Sequence, residues 1–280
     1  MKLKNITIMD WFDSQNLNFR WDLEPDVNIL IAPTGTGKST LAEDLLDLIL
    51  PTSYSTMGVV KTPTWRSRLT KTQAKVDFEL REGKTNRYVS WVGGGTYPDS
   101  YSLVNYNPQK VETILGWYPE CMIDIINSDE LCEDQILGWY ANQDEKNQVK
   151  ILNAINKVTK DWEGMNELTG ILEVVHTDKS PSIMFEFAGG KRKSLESMSF
   201  GWRMLISLMV NIPMGPDTVY IVDNPEFGIC EEWCKRLPSA MVEANPGCQF
   251  IILTGQSNIA YEYPLKKKNL RDLLNYGVGV

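Results

Sequence analysis

The chain is poorest in histidine. Its 280 residues hold one, His176. No multi-histidine metal site can be built from it, and no mechanism that needs two imidazoles applies. His176 follows the apolar stretch 171–175 and reads as a structural residue. Cysteine is also scarce: there are five, an odd number, with no C-x-x-C spacing. That pattern argues against a disulfide framework and for free thiols in a reducing compartment. Long apolar runs are missing, and so is a leader-like N-terminus. The expectation is a soluble, cytoplasmic protein with no membrane partner. Positive charge is in the minority, with 28 Lys and Arg against 36 Asp and Glu, a net charge of −8. Such a surface does not coat nucleic acid as a whole. Contact with DNA or RNA would need a local basic patch. Three stretches offer one: 61–71 with Arg66 and Arg68, 191–193, and 266–268 with Arg271. Each reads first as solvated surface.

What is present is a large apolar supply. Hydrophobic residues make up 42% of the chain, with nine Trp and eleven Tyr, enough for one large domain or two small ones. Strand patterns occur at 2–9, 17–23 and 27–31. Residues 75–81 and 87–92 read as a hairpin turning around 82–85. Further strands are expected at 59–61, 182–187, 219–222 and 250–253. Gly93, Gly94 and Gly95 read as a loop or hinge. From about 108 to 175 the pattern is helical, with Val111, Ile114 and Leu115 on one face. Val149, Leu152, Ile155 and Val158 share another. An apolar helix is expected over 202–210 and a short one over 270–276. The pentapeptide Ile-Leu-Gly-Trp-Tyr occurs twice, at 114–118 and 136–140. It reads as two helix ends with similar Gly caps, or as a pair of aromatic anchors for a partner.

The strongest motif is Ala32-Pro33-Thr34-Gly35-Thr36-Gly37-Lys38-Ser39-Thr40. An apolar strand precedes it and an apolar-periodic helix over 40–50 follows. That is the setting a phosphate-binding P-loop requires. Gly35 and Gly37 let the backbone curl until its N–H groups face phosphate oxygens. The helix start adds the positive end of its dipole. Lys38 should reach the β- and γ-phosphates of a nucleotide, and Ser39 should ligate Mg²⁺.

Two later segments belong with it. Val219-Tyr220-Ile221-Val222-Asp223 is an apolar strand ending in a carboxylate. In P-loop nucleotidases such an Asp stands beside the phosphate-loop strand and orients Mg²⁺. Ser197 to Arg203 open the apolar helix. There Ser199 and Gly201 offer a hydroxyl and N–H groups at a helix N-terminus, a second anion site. Ser199 as a plain N-cap is the simpler alternative.

In this order the elements resemble an ABC-class ATPase head of the kind found in SMC proteins, RecF and OLD-family nucleases. The likeness spans residues 1–260. Met198-Ser199-Phe200-Gly201 resembles the ABC signature. Asp223-Asn224-Pro225-Glu226 resembles Asp-Glu-Pro-Glu, and Thr254-Gly255-Gln256-Ser257 the Thr-Thr-His-Ser switch. Asn107 to Lys110 resemble the metal-sensing glutamine loop, with Gln109 as candidate ligand. The resemblance implies an α/β fold with a mixed or parallel ABC-type sheet, an antiparallel strand subdomain and an inserted helical subdomain. It implies a core lobe of about 1–107 and 182–260, a helical insert of about 108–180, and a C-terminal helix and tail at 261–280. It also implies a homodimer in which two ATP molecules, with Mg²⁺, are sandwiched. Ser199 and Gly201 of one copy would touch the γ-phosphate held by Lys38 of the other.

Two residues depart from that pattern. Where the water-polarising Glu normally stands, Asn224 cannot accept a proton. The switch His is replaced by Gln256. Glu226 is then the candidate base, and slow or conditional ATP hydrolysis is expected. Residues 108–175 are too few for long coiled-coil arms, and no nuclease region is expected after residue 260. The function implied is an ATPase that dimerises on ATP and controls a second protein: an effector, toxin or nuclease of genome maintenance or anti-phage defence. Alternatives are a hydrolysis-poor ATP sensor or scaffold, a P-loop small-molecule kinase using Arg66 and Arg68, and a transporter ATPase.

Overall fold

The computed structural model describes residues 2–9, 17–39, 41–42, 73–82, 85–93, 114–117, 140–141, 143–160, 167–175, 181–210 and 219–276. For 7–9, 17, 73–82, 85–93, 114–117, 175, 181 and 275–276 the backbone alone is described. Thr40, Gln109, Cys121, Cys132 and His176 lie outside the described residues. So do the expected strand 59–61, the basic stretch 61–71 and most of the helix 40–50.

Short, nearly continuous apolar runs suit strands buried on both faces. Four such runs and one exposed polar edge segment line up in one parallel sheet, order β12-β3-β11-β10-β6. Its members are β3 (Val27–Ile31), β6 (Ile114–Trp117), β10 (Val219–Asp223), β11 (Gln249–Thr254) and β12 (Lys267–Asn269). Every residue of β10 and β11 is buried. The register runs Asp223 to Leu253, then Leu253 to Leu30. Thus β11 lies between the phosphate-loop strand and the Asp strand. The sequence reading put those two side by side; the interposed strand corrects it.

Alternating sequence instead builds antiparallel sheets with one face on the core. The first has the order β13-β2-β1-β4-β5. It comprises β1 (Lys2–Met9), β2 (Leu17–Asp22), β4 (Gln73–Glu82), β5 (Thr85–Gly93) and β13 (Leu274–Tyr276). The second is β7 (Leu168–Val175), β8 (Pro181–Phe187) and β9 (Lys191–Ser194). The sheets give a mixed α/β architecture, as the sequence implied.

One buried amide joins the first antiparallel sheet to the parallel one. The side chain of Gln249, fully buried at the head of β11, accepts from Leu3 N–H at 2.7 Å. Its Nε2 donates to Leu3 O at 2.9 Å and to Glu24 O at 2.6 Å. A buried amide is stable only with its partners present, so this site specifies how β1 meets β11.

Helix α1 (Glu145–Thr159) starts at the N-cap Asp144, whose side chain accepts from Asn147 N–H. It buries Ile151, Ala154, Ile155 and Val158. Asn156 docks it on β7, accepting from Leu168 N–H and donating to Leu168 O, both at 2.8 Å. Helix α2 (Phe200–Val210) is buried along nearly its whole length. Short α3 (Glu231–Cys234) and α4 (Leu237–Ala244) follow β10. Lys157 pairs with Glu243 to tie α1 to α4.

Several expected helices are strands. Ile114–Trp117 pairs in parallel with β10, and Leu168–Val175 pairs with β8. An apolar run of four residues has no readable period, so partner strands decide it. The first four residues of the first Ile-Leu-Gly-Trp-Tyr copy are therefore a strand and not a helix end. Of its counterpart at 136–140, Tyr140 is described, helical and buried. At the C-terminus the helix is one turn, α5 (Leu270–Leu273), and Leu274–Tyr276 continues as β13.

Candidate functional site

The C-terminal ends of β3, β11 and β10 lie next to one another, and the motif residues sit on the loops that leave them. Gly35 and Gly37 have φ of +81° and +91°. These left-handed values let the loop curl back, which a residue with Cβ resists. Thr36 Oγ1 braces the turn by donating to Pro33 O at 2.6 Å. Lys38 and Ser39 open the following helix.

Lys38 is only 5% exposed. Its ammonium donates to Ala32 O at 2.9 Å and Pro33 O at 3.1 Å, spanning the loop it belongs to. Ser39 Oγ donates to Asp223 Oδ2 at 2.5 Å. A hydroxyl and a carboxylate this close are two hard oxygen ligands, the donor set Mg²⁺ accepts.

Glu226, 9% exposed, follows on the turn after β10. Its Oε1 accepts from Gly255 N–H at 2.8 Å. Its Oε2 is buried and has no hydrogen-bond partner among the described residues. A buried acceptor without a donor is costly and marks a place where water or a ligand is wanted. Gly255 fits between the groups: a Cβ there would lie 3.6 Å from Glu226 Oε1 and 4.0 Å from Lys38 Nζ. The structure thus brings Ala32, Lys38, Ser39, Asp223 and Glu226 together.

Asn224 has φ +45°. Among L-residues, Asn tolerates this region best. Its N–H donates to Leu253 O at 2.7 Å and its C=O accepts from Phe227 N–H at 3.0 Å. The amide that replaces the expected Glu is therefore a turn former. Gln256 is exposed, and its N–H donates to Thr254 Oγ1 at 3.0 Å.

Ser199 is exposed just before α2, and its C=O accepts from Arg203 N–H at 3.1 Å. Gly201 lies in the first turn, where a Cβ would sit 2.7 Å from Gly228 O. Close approach of backbones therefore requires this glycine, whatever else binds there. Gly228, Phe227 and Gly255 are contacts that motif reading passed over. The glycine of Thr-Gly-Gln-Ser was the one visible hint. Among the described residues no group of three His, Cys, Asp or Glu forms a metal cluster. Burial first, then the Glu226 charge, pushes the Cys234 thiol up to about 12, so it stays neutral beside the site.

Of the basic stretches, Lys191, Arg192 and Lys193 are exposed on β9, as are Lys267 and Lys268 on β12. Lys266 is engaged by Glu24 and Asp26. No described helix is long and apolar enough to cross a membrane.

This arrangement is the fold of SMC head domains. The chain is similar to the SMC head domain from Thermotoga maritima, with 14% identity over 93% of this chain and 92% of that one, TM-score 0.56. It is also similar to an Smc head bound to the C-winged helix domain of ScpA, with 12% identity over 96% and 94%, TM-score 0.60. A Pyrococcus furiosus structure, an Smc head with an extended coiled coil bound to the C-terminal domain of ScpA, gives 13% identity over 93% and 91%, TM-score 0.54. No protein-family model matches the chain, and no curated protein matches its sequence.

Proposed function

We propose that this chain is an ATP-binding head that pairs with a second copy around two ATP molecules and passes its nucleotide state to another protein. The observation that carries the reading is the meeting of Lys38, Ser39, Asp223 and Glu226 at three adjacent strand ends. Residues 32–40 would wrap the phosphates with backbone N–H groups. The Lys38 ammonium, now satisfied by two loop carbonyls, would turn its donors to the β- and γ-phosphates. Ser39 and Asp223, with Gln109, would hold Mg²⁺, which when bound neutralises phosphate charge. Glu226 Oε2 would take the proton of an attacking water while Gly255 N–H fixes Oε1. Asn224 and Gln256 can orient that water but cannot accept its proton.

Pairing is supported by the exposed turn at Ser199 and Gly201. It is a helix N-terminus with an anion to bind when a second head presents one. The head spans about 1–260, and its partner is an effector of genome maintenance or anti-phage defence. Lys191, Arg192 and Lys193 are where this head would touch nucleic acid. Sizing with and without Mg-ATP tests the reading. A shift to the dimer that is lost in Ser199→Arg is expected; an unshifted wild type overturns pairing.

The left-handed Asn224 favours a second reading, a head that holds ATP and seldom cleaves it. ATP retained over hours without phosphate release would select it.

A further inference from the structure

The residue between Ser199 and Gly201 is an aromatic ring with a defined task. Phe200 meets Phe227 edge to face, with centroids 6.0 Å apart and an 80° interplanar angle. Phe227 is 44% exposed, so the contact does not serve core burial. The same Phe200 ring covers Gly228: a Cβ on Gly228 would run into Cε1 and Cδ1 of Phe200. Gly228 also has φ +73°. On the next residue, a Cβ on Gly201 would lie 2.7 Å from the Gly228 carbonyl oxygen. Two consecutive residues of α2 therefore grip two consecutive residues of the loop after β10. The Arg203 guanidinium lies 6.0 Å from the Phe200 ring on the same helix turn.

That loop also carries Glu226. Phe227 N–H donates to Asn224 O, and Ile229 N–H donates to Glu226 O, each at 3.0 Å. The pair of turns leaves the Glu226 backbone little freedom of its own. Wherever Phe227 and Gly228 are held, Glu226 follows.

We propose that Phe200 is a positioning residue, through which the first turn of α2 sets where Glu226 Oε2 points. It rests on the reading of Glu226 as the base. A phosphate arriving at Ser199 and Gly201 would then be felt at Glu226 of the same chain through one ring, without a separate moving part. A ring suits this better than an aliphatic side chain, because its edge and face meet neighbours in preferred directions.

The test compares wild type, Phe200→Ala, Phe200→Tyr and Gly228→Ala in the full chain. Three quantities are read: melting temperature, affinity for a fluorescent ATP analogue, and single-turnover phosphate release. Phe200→Ala is expected to slow release about a hundredfold, as a small misplacement of a reacting group does, with nucleotide affinity unchanged. Phe200→Tyr restores release, and Gly228→Ala follows Phe200→Ala. If Phe200→Ala does not fold, Phe200→Leu replaces it, keeping bulk and losing the ring. Unchanged release overturns the proposal. So does a loss of release matched by an equal loss of affinity or stability, and so does a wild type that releases no phosphate. Wild-type sizing with Mg-ATP is read separately. A failure there overturns head pairing, while the Phe200 series in the monomer still decides the clamp.

Discussion

Gly255 N–H donates to Glu226 Oε1 at 2.8 Å, so the strand beside the phosphate loop orients the carboxylate that follows the neighbouring strand. The bond leaves the other oxygen of that carboxylate, Oε2, buried and without a hydrogen-bond partner among the described residues. Glu226→Gln keeps an acceptor for Gly255 and removes the proton acceptor. Phosphate release is expected to fall by about 10²–10⁴-fold, the usual contribution of a general base, with ATP still bound. A rate equal to wild type would exclude Glu226 as the base.

Asn224 is held at φ +45° by two backbone hydrogen bonds. Asn224→Gly keeps both bonds and suits the left-handed region, so stability should change little. Asn224→Val should cost about 1–2 kcal/mol, the penalty of placing a β-branched residue in the left-handed region. Chemical denaturation of the two variants checks the order. Asn224→Glu should not accelerate hydrolysis, because a glutamate added there leaves Glu226 in place and must adopt the strained backbone. A faster Asn224→Glu would show that this position carries the base after all.

Gln249→Leu removes three hydrogen bonds and takes this partner from Leu3 N–H and Leu3 O, while Glu24 O keeps the Asn28 Nδ2 donor at 2.9 Å. Each orphaned group costs about 1–3 kcal/mol, so a loss of about 3 kcal/mol overall is expected. In a domain of this size that is a fall of roughly 6–12 °C in melting temperature. Thermal unfolding followed by circular dichroism measures it. A fall of under about 2 °C would mean water replaces the lost partners.

Asp26 and Lys266 predict a pH window. Burial alone would raise the Asp26 carboxyl. The Val27 N–H and the Lys266 ammonium, 3.1 Å away, overcome this and hold it below its ordinary value. The Asp26 hydrogen bond leads in raising Lys266. A depressed carboxylate contributes stability above its unfolded pKa, and that stability is lost as pH falls through the folded one. A raised lysine contributes below its unfolded pKa, and its share is lost as pH rises through the folded one. The pair should therefore stabilise between the acid and strongly alkaline ranges. In Lys266→Met the difference from wild type should vanish at low pH, and added salt should shrink it at neutral pH because both groups are partly exposed to solvent. Urea midpoints across pH, with and without salt, report both effects.

Much of the site was legible because its chemistry is local. A glycine-rich loop between an apolar strand and a helix start is written in nine consecutive residues. The Asp at the end of β10 and the turn at Ser199 are equally local. What could not be read depends on pairing between distant segments. Ile114–Trp117 carries too few residues to show a period, and only its register with Val219–Val222 makes it a strand. The place of β11 between β3 and β10 is likewise a matter of partners. Gly228 looks like any loop glycine until Phe200 is set on top of it. Gln249 stands just outside the strand expected over 250–253, and its partners Leu3 and Glu24 lie more than 220 positions away.

Strand β11 has different duties at its two ends. Its first residue is fastened to the antiparallel sheet by Gln249, and the residue after its last holds Glu226 by a backbone N–H. Six extended residues span about 20 Å, and every one of them is buried. Such a strand neither bends nor stretches easily, so it behaves as a strut. A load applied to the antiparallel sheet would arrive at the Glu226 carboxylate as a displacement. A protein seated on that sheet, far from any nucleotide, could thereby set the pace of the chemistry.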